Sequence, residues 1–429
     1  MASKNNLSVV IDIGTSKFVA VAGTKNESGK LEVAAIAKTP AMGIRRGVVF
    51  NIEETAGCVK SLLDELESQI EEKIESVHVA YAGQHIKTVH FQCERMTAED
   101  GIVSRFDVDS LFEQAKGAEL AEGYKLVEVI PVSYKIDNEL MENPVGSTGQ
   151  KLEAGYKLLV MPQNYWVNLL KVFGKLDVKL EKITLSTFAV SEAVLTEDEK
   201  EIGVIVLDMG AGTTNLAIYH DSRLIHTAVI PFGGKVVTSD IKEGCSILLK
   251  TAEQLKIQYG QALGDFADDQ KVVTIPGNNG WEPKEISFKS LAFIIQARIE
   301  EIIDSVNYQI EKSGITELLG AGIVLTGGTS NLENIISLVK FRTGLDARPA
   351  KLVMGLHENN KEISAQENFT ALGLLSLVER TTQNATTLSK KVKKEKKIKE
   401  PGRFSKKLSN LVQGVLDLVD DENEDIPLK

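Results

Sequence analysis

The chain opens with an apolar run, Leu7 to Ile13, then a Gly-Thr-Ser-Lys turn, then a second apolar run from Phe18 to Gly23. Two short buried runs across a tight polar turn predict a β-hairpin. Val59, Leu62, Leu63 and Leu66 follow at three- and four-residue spacing opposite a charged face, which predicts an amphipathic helix. Val77 to Ala82 reads as a strand. At Ile202 the opening pattern returns. The segment IGVIVLDMGAGTTNLAIYH repeats the order of VVIDIGTSKFVAVAG: a buried strand, an Asp, a Gly-rich turn with hydroxyls, and a second strand. A repeat of this kind predicts two related lobes.

Between the hairpins the pattern changes. Residues 85–162 contain a helix near Asp109 to Glu119 and strand-like stretches at Lys125–Ile136 and Tyr156–Val160, separated by a Gly/Asn/Pro loop. That content predicts a small α+β insertion within an otherwise α/β chain. A helix from about Tyr165 to Lys175 and a strand from Val178 to Leu185 come next. After the second hairpin, a mostly helical region is expected from about Thr238 to Gly320. It leads into AGIVLTGGTSNLENIISLVKF, a strand ending at Gly327-Gly328 and followed directly by a helix. Ser330 and Glu333 have capping-box spacing at that helix start. The last core helix is expected over Asn368 to Leu377.

Composition alters this picture only at its edges. Apolar content of 43% and charged content of 25% over 429 residues are those of an ordinary globular protein with room for two or more domains. A net charge of -11 argues against general nucleic-acid binding. Cys58, Cys93 and Cys245 form no metal-ligand spacing and no disulfide framework, so a reducing, intracellular compartment is expected. No secretory h-region and no run of membrane-spanning length is seen. His78, His85 and His90 lack zinc-site spacing.

The two turns carry the candidate chemistry. Polyphosphate is well held by backbone N–H groups in tight turns, and close approach of backbone to phosphate requires glycine. Gly14, Gly210 and Gly212 meet that need. Thr15, Ser16, Thr213 and Thr214 add hydroxyls, and Lys17 adds a positive charge. Asp12 and Asp208 end their strands just before the turns; facing one another, they would hold a hydrated Mg²⁺. Gly327-Gly328 before a helix would let an adenosine lie against the backbone. The bland alternative, a hairpin with glycine in its turn, explains one such motif more easily than two followed by a strand–Gly-Gly element.

These segments resemble a known superfamily. DIGTSKFVAVAG looks like the first phosphate loop of the actin/Hsp70/sugar-kinase proteins, LDMGAGTTNLAIY like the second, and IVLTGGTSNL like the adenosine motif. Within it, EVIPVSYKIDNELMENPVGSTGQKLE, VIPFGGKVVTSDI and TAEQLKIQYGQAL resemble segments of the bacterial cell-division family FtsA. The resemblance implies an actin-like two-lobed ATPase fold of duplicated RNase H-like lobes with bound ATP and Mg²⁺. Residues 1–84, 163–201 and 368–380 would form the core of lobe one, with 85–162 inserted into it. Residues 202–235 and 322–367 would form the core of lobe two, and 236–321 its subdomain. Asp12, Gly14, Thr15, Ser16 and Lys17 would face the phosphates from one side, and Asp208, Gly210, Gly212, Thr213 and Thr214 from the other. Gly233 and Gly234 would lie in a turn near the cleft, and Gly327, Gly328 and Thr329 would complete the adenosine site. Glu253 and Lys256 would approach ribose and adenine, or form a surface ion pair. Several relatives that hydrolyse ATP place an acid, often in a Glu-Pro context, on the helix after the strand at Val178–Leu185. Here that stretch has no carboxylate before Glu192, so hydrolysis is expected to be slow.

The C-terminal segment has its own pattern. Residues 381–402 are polar and Lys-rich, as in a flexible linker. Phe404, Leu408, Leu411, Val415 and Leu418, widened by Val412, Leu416 and Val419, then make an apolar helical stripe within 403–420. Arg403, Lys406 and Lys407 stand where they could meet anionic lipid headgroups. The resemblance implies a membrane-targeting helix on the cytoplasmic face of the cell membrane at the division site. It also implies self-assembly into filaments and binding of the tubulin-like protein FtsZ through residues 236–321. The acidic ending DDENEDIPLK departs from the usual form of such a tail. A pilus-assembly or MreB-like actin homologue, or a small-molecule kinase of the superfamily, is the alternative.

Overall fold

Strand β1 (Ser8–Ile13) is covered on both faces, and its side chains alternate between two apolar clusters. Val9, Ile11 and Ile13 join the cluster beneath helix α1 (Ile52–Ile70), with Leu62, Leu63 and Leu66. Val10 joins the opposite cluster, with Ala371, Leu372 and Leu375 of a helical run over 369–378. β2 (Lys17–Lys25) pairs antiparallel with β1, and β3 (Leu31–Pro40) pairs antiparallel with β2. On the other side of β1, β6 (Ser76–Tyr81) and then β11 (Lys179–Leu185) run parallel. A miniature hairpin, β4 (Ile44–Arg45) and β5 (Val48–Val49), leads into α1. There the Asn51 side chain caps the helix by accepting from the N–H groups of Glu53 and Glu54. The structure is a computed structural model and describes residues 7–26, 28–98, 100–276, 282–357 and 361–382.

The insertion forms a four-stranded antiparallel sheet, ordered β7 (Lys87–Met96), β10 (Lys151–Pro162), β8 (Tyr124–Ile136), β9 (Glu139–Met141). Helix α2 (Arg105–Lys116) packs Leu111 and Ala115 on Leu152, Ala154, Tyr156 and Leu158. A reciprocal Ser104–Asp107 capping box starts that helix, and Asp107 also accepts from Arg95 at 2.7 Å. α3 (Gln163–Gly174) returns the chain to lobe one. There Leu169, Val172 and Phe173 enter the cluster beneath α1.

After α4 (Ser186–Val194) and α5 (Glu197–Ile202), lobe two repeats the first sheet. β12 (Val204–Met209), β13 (Thr214–His220) and β14 (Arg223–Ile230) are antiparallel neighbours. β17 (Gly322–Thr326) and β18 (Ala347–Pro349) run parallel beyond β12. The order β14-β13-β12-β17-β18 is that of β3-β2-β1-β6-β11. This is the two-lobed, duplicated α/β fold with an α+β insertion that the repeat implied. α6 (Gly234–Cys245), α7 (Leu249–Tyr259), α8 (Phe288–Ser313) and α9 (Ile335–Thr343) complete the lobe, packing Val237, Ile241, Ile299 and Leu338 onto Ile205 and Leu207.

Several local expectations differ from what forms. The region from Thr238 to Gly320 also contains a hairpin, β15 (Val272–Ile275) with β16 (Lys284–Ser287). Ser330 and Glu333 make no capping box. The Ser330 hydroxyl donates to the Gly327 carbonyl at 2.7 Å, Glu333 accepts from Gln261 at 2.7 Å, and α9 begins only after Asn334. Asn368 belongs to a short 3-10 turn, Gln366–Asn368, and the closing helix starts at residue 369. The amphipathic stripe at 403–420 and the linker from residue 383 on lie outside the described residues. Met1–Val378 form one compact unit. Of the second, Glu379–Lys429, residues 379–382 are described and are helical. No helix among the described residues is long and apolar enough to cross a membrane.

The closing helix depends on Gly373, where a Cβ would overlap the carbonyl oxygen of Ala189 on α4. Helix propensity alone would make alanine better there by about 1 kcal/mol. Gly373→Ala is nonetheless expected to destabilise the fold by about 1–3 kcal/mol through overpacking. Urea denaturation reads the sign, and a gain in stability would contradict this account.

Candidate functional site

Strand alternation determines where the two aspartates go. In β12, Ile205, Leu207 and Met209 feed the lobe-two core, whereas Val204 and Val206 pack with Val190, Val194 and Phe369 on the other face. Asp208 shares the face of Val204 and Val206, as Asp12 shares the face of Val10. Both carboxylates therefore leave their strands toward the space between the lobes. Burial pushes the Asp12 carboxyl up to about 7, with Asp208 adding to the rise and Lys17 opposing it. Burial likewise pushes Asp208 up to about 6, against a 3.3 Å hydrogen bond donated by Asn215. The Asn215 Oδ1 is buried and has no partner among the described residues. Two facing, desolvated carboxylates with a spare amide oxygen beside one of them are oxygen donors of the kind a hard divalent cation takes.

The turns are built by close backbone approach. A Cβ on Gly14 would stand 2.6 Å from the Lys17 carbonyl oxygen. The Gly210 N–H donates across its own turn to Thr213 at 2.9 Å. At Gly212 a Cβ would lie 2.5 Å from the Thr15 hydroxyl, so the first turn abuts the second across the cleft. Thr15 is fixed in turn by accepting from the Gly47 N–H at 3.0 Å. The Gly210 carbonyl accepts from the Gly234 N–H and from the Thr329 hydroxyl, both at 2.9 Å. A Cβ on Gly233 would stand 2.5 Å from that same carbonyl oxygen. Gly327 has φ 86° and lies directly against the Asp208 carboxylate. Gly328 faces open space. Ser16 is exposed and Thr213 buried, while Thr214 is fully buried with its hydroxyl donating to the Phe232 carbonyl at 2.9 Å. Thr214 thus braces the turn and does not offer its hydroxyl to the cleft.

Glu253 and Lys256 make more than a surface pair. The Lys256 ammonium is mostly buried and donates to Glu253 at 2.8 Å, to Thr238 at 2.8 Å and to the Gly234 carbonyl at 2.9 Å. It joins α7 to the first turn of α6, beside the glycine turn. Lys235, which sequence reasoning passed over, donates from lobe two to the Thr15 carbonyl of lobe one at 2.9 Å. Its only signal was its place directly after Gly233-Gly234. No acid occupies the first turn of α4, where Ser186 and Thr187 are buried.

Residues 205–373 match the family described as Cell division protein FtsA, and residues 83–160 match the SHS2 domain inserted in FtsA. The chain is 34% identical over 333 residues to the cell division protein FtsA of Neisseria meningitidis, a match covering 77% of this chain and 80% of that one. It is 31% identical over 386 residues to FtsA of Escherichia coli K12, covering 87% and 90%. The chain belongs to the FtsA family. It is accordingly an actin-like cell-division protein, and its FtsA insertion domain is the sheet β7-β10-β8-β9. Among solved structures, the PilM–PilN type IV pilus biogenesis complex shares the fold at TM-score 0.62 and 18% identity, covering 87% of this chain and 98% of that one. MreB5 of Spiroplasma citri bound to ADP does so at TM-score 0.53 and 15% identity, covering 90% and 99%. The pilus and MreB alternatives thus share this chain's fold, whereas its family is that of FtsA.

The paired aspartates set a pH dependence for the metal- and nucleotide-free FtsA-family chain. Their raised values mean that the folded protein holds protons the unfolded chain releases. That stabilising contribution is complete below about pH 4 and is lost as pH rises through 6 to 7. Relative to an Asp12→Asn/Asp208→Asn variant, wild-type protein in chelator should lose of order 5 kcal/mol between about pH 4.5 and about pH 8. Urea melts across pH read this directly, and a pH-independent gap would contradict it.

Proposed function

We propose that this chain binds ATP with Mg²⁺ between its lobes and, in that state, assembles into filaments that tether FtsZ to the cytoplasmic face of the membrane at the division site. The observation that carries the nucleotide half is the facing Asp12–Asp208 pair, set among turns whose glycines keep the backbone accessible. Asp12 and Asp208 would hold the cation. Bound Mg²⁺ would supply neutralisation of the phosphate charge. Gly14, Thr15, Ser16 and Lys17 would offer donors to the phosphates from lobe one, and Gly210, Gly212 and Thr213 from lobe two. Gly327, Gly328 and Thr329, with Glu253 and Lys256 behind Gly234, would receive the nucleoside.

The chain's own residues favour a binding switch over a fast catalyst. No carboxylate stands in the first turn of α4 to orient a water, so nucleotide turnover should be slow. Lys235 on lobe two already reaches the Thr15 carbonyl on lobe one, and a ligand gripped by both turns would strengthen that closure. Closure would favour head-to-tail contact between copies. Weak membrane affinity of each Phe404-to-Val419 stripe would then add up along a filament. Family membership supports FtsZ as the partner, with residues 236–321 as its contact region.

Vesicle co-sedimentation with FtsZ tests both halves together. Full-length protein with Mg²⁺ and ATP should carry FtsZ into the pellet of anionic vesicles. Deleting residues 403–429 should abolish this, while Asp208→Asn should weaken its dependence on ATP by tenfold or more, on the order of one lost cation ligand. Unchanged vesicle binding by the truncated chain would sink the tether, and unchanged ATP dependence in Asp208→Asn would sink the switch.

A further inference from the structure

One carboxylate near the first turn holds two lysines. Glu367 lies in the 3-10 turn Gln366–Asn368, and its two oxygens accept separately from the Lys17 and Lys38 ammonium groups. Lys17 pairs in register with Pro40, and Val19 with Lys38. Lys17 and Lys38 are therefore diagonal neighbours on one face of the sheet, the face that carries Val19 and Val21 into the cluster with Leu372 and Leu375. Lys17 also ends the first turn, and its charge reaches Asp12. The trio of two ammonium groups and one carboxylate leaves one positive charge uncompensated beside the aspartate pair.

Glu367 itself has little freedom to move. Next to it, Gln366 donates to the Ser330 hydroxyl at 2.8 Å and to the Gly327 carbonyl at 3.4 Å, fastening the turn to lobe two. On its other side Asn368 is fully buried and donates to the carbonyls of Glu362 and Ile363 at 2.8 and 3.0 Å. Phe369 is buried among Val190, Val204 and Val324. The paired lysines hold the Glu367 carboxyl at about 2, so it stays charged at any working pH. The lysines, by contrast, are long, partly exposed and able to change partner.

We propose that Glu367 is a positioning residue that competes with nucleotide phosphate for Lys17, and that Lys38 is the alternate partner that allows Lys17 to leave. This rests on the nucleotide reading given above and adds to it a determinant of phosphate recognition lying 350 residues from the first turn. With phosphate present, Lys17 turns to it and Lys38 alone neutralises Glu367. Without phosphate, Glu367 holds the Lys17 ammonium on its own carboxylate, and the clasp of Gln366 on Gly327 and Ser330 stays engaged.

Calorimetric titration of ATP and of adenosine, with Mg²⁺, separates this from a merely structural role. Glu367→Gln should tighten ATP by about two- to fivefold, the worth of a partly exposed ion pair, and leave adenosine unchanged. Lys38→Gln should do the opposite, because Glu367 then has only Lys17. Both shifts should vanish in a Lys17→Met background. Shifts of the same sign in the two variants, equal shifts for adenosine, or shifts that persist without Lys17 would overturn the role. Should Glu367→Gln fail to fold, Lys38→Gln leaves the clasp intact and its sign decides. Wild-type protein that binds neither ligand would remove the nucleotide reading and this role together; normal wild-type binding with no shift in either variant removes the role of Glu367 alone.

Discussion

A strand buried on both faces leaves a polar side chain only one place to go, which is off its end. β1 and β12 are such strands, each sandwiched between two apolar clusters, and each carries its aspartate on the face that looks toward the other lobe. Side-chain alternation in two copies of one sheet thus brings Asp12 and Asp208 to a common point. The glycines follow from this convergence. Gly212 lies against Thr15, Gly327 against Asp208 and Gly233 against the Gly210 carbonyl, and any larger residue would hold the turns apart.

The convergence is electrostatically unfavourable for the bare protein. Two desolvated carboxylates repel, and among the described residues Lys17 and the Asn215 amide oppose this. A cation carrying a polyphosphate would relieve the repulsion and bind both lobes at once. That gives a physical reason for closure to depend on ligand without any need for rapid hydrolysis. Cross-lobe ties already exist at Lys235 with Thr15, and at Gln366 and Glu367, which reach Gly327 on one side and Lys17 on the other. These ties give the closed arrangement a definite geometry.

The repeated strand–Asp–Gly-turn was legible in the sequence because every residue it needs lies within about a dozen positions, a span that pattern reading handles well. The insertion was legible from its change of element type. Other features were hidden for particular reasons. Ser330 and Glu333 have the spacing of a capping box, but a 3-10 turn intervenes, and Gln261 and Gly327 take the two side chains instead. Thr214 looked like a phosphate donor, but its place on the buried strand turns its hydroxyl to Phe232. Glu367 lies far along the chain from Lys17 and Lys38, and only the register of β2 with β3 places its lysine partners side by side. Lys256 read equally well as a ligand contact or a surface pair until its bonds to Thr238 and Gly234 appeared.

One ligand held by both lobes through the paired turns would order those turns at the same time. Hydrogen–deuterium exchange of the full chain, with and without Mg²⁺ and ATP, tests it most directly. Amides at 12–17, 208–214, 233–235 and 327–330 should gain protection together and over the same ATP concentration range. Protection confined to one lobe, or none in any of these segments, would contradict it.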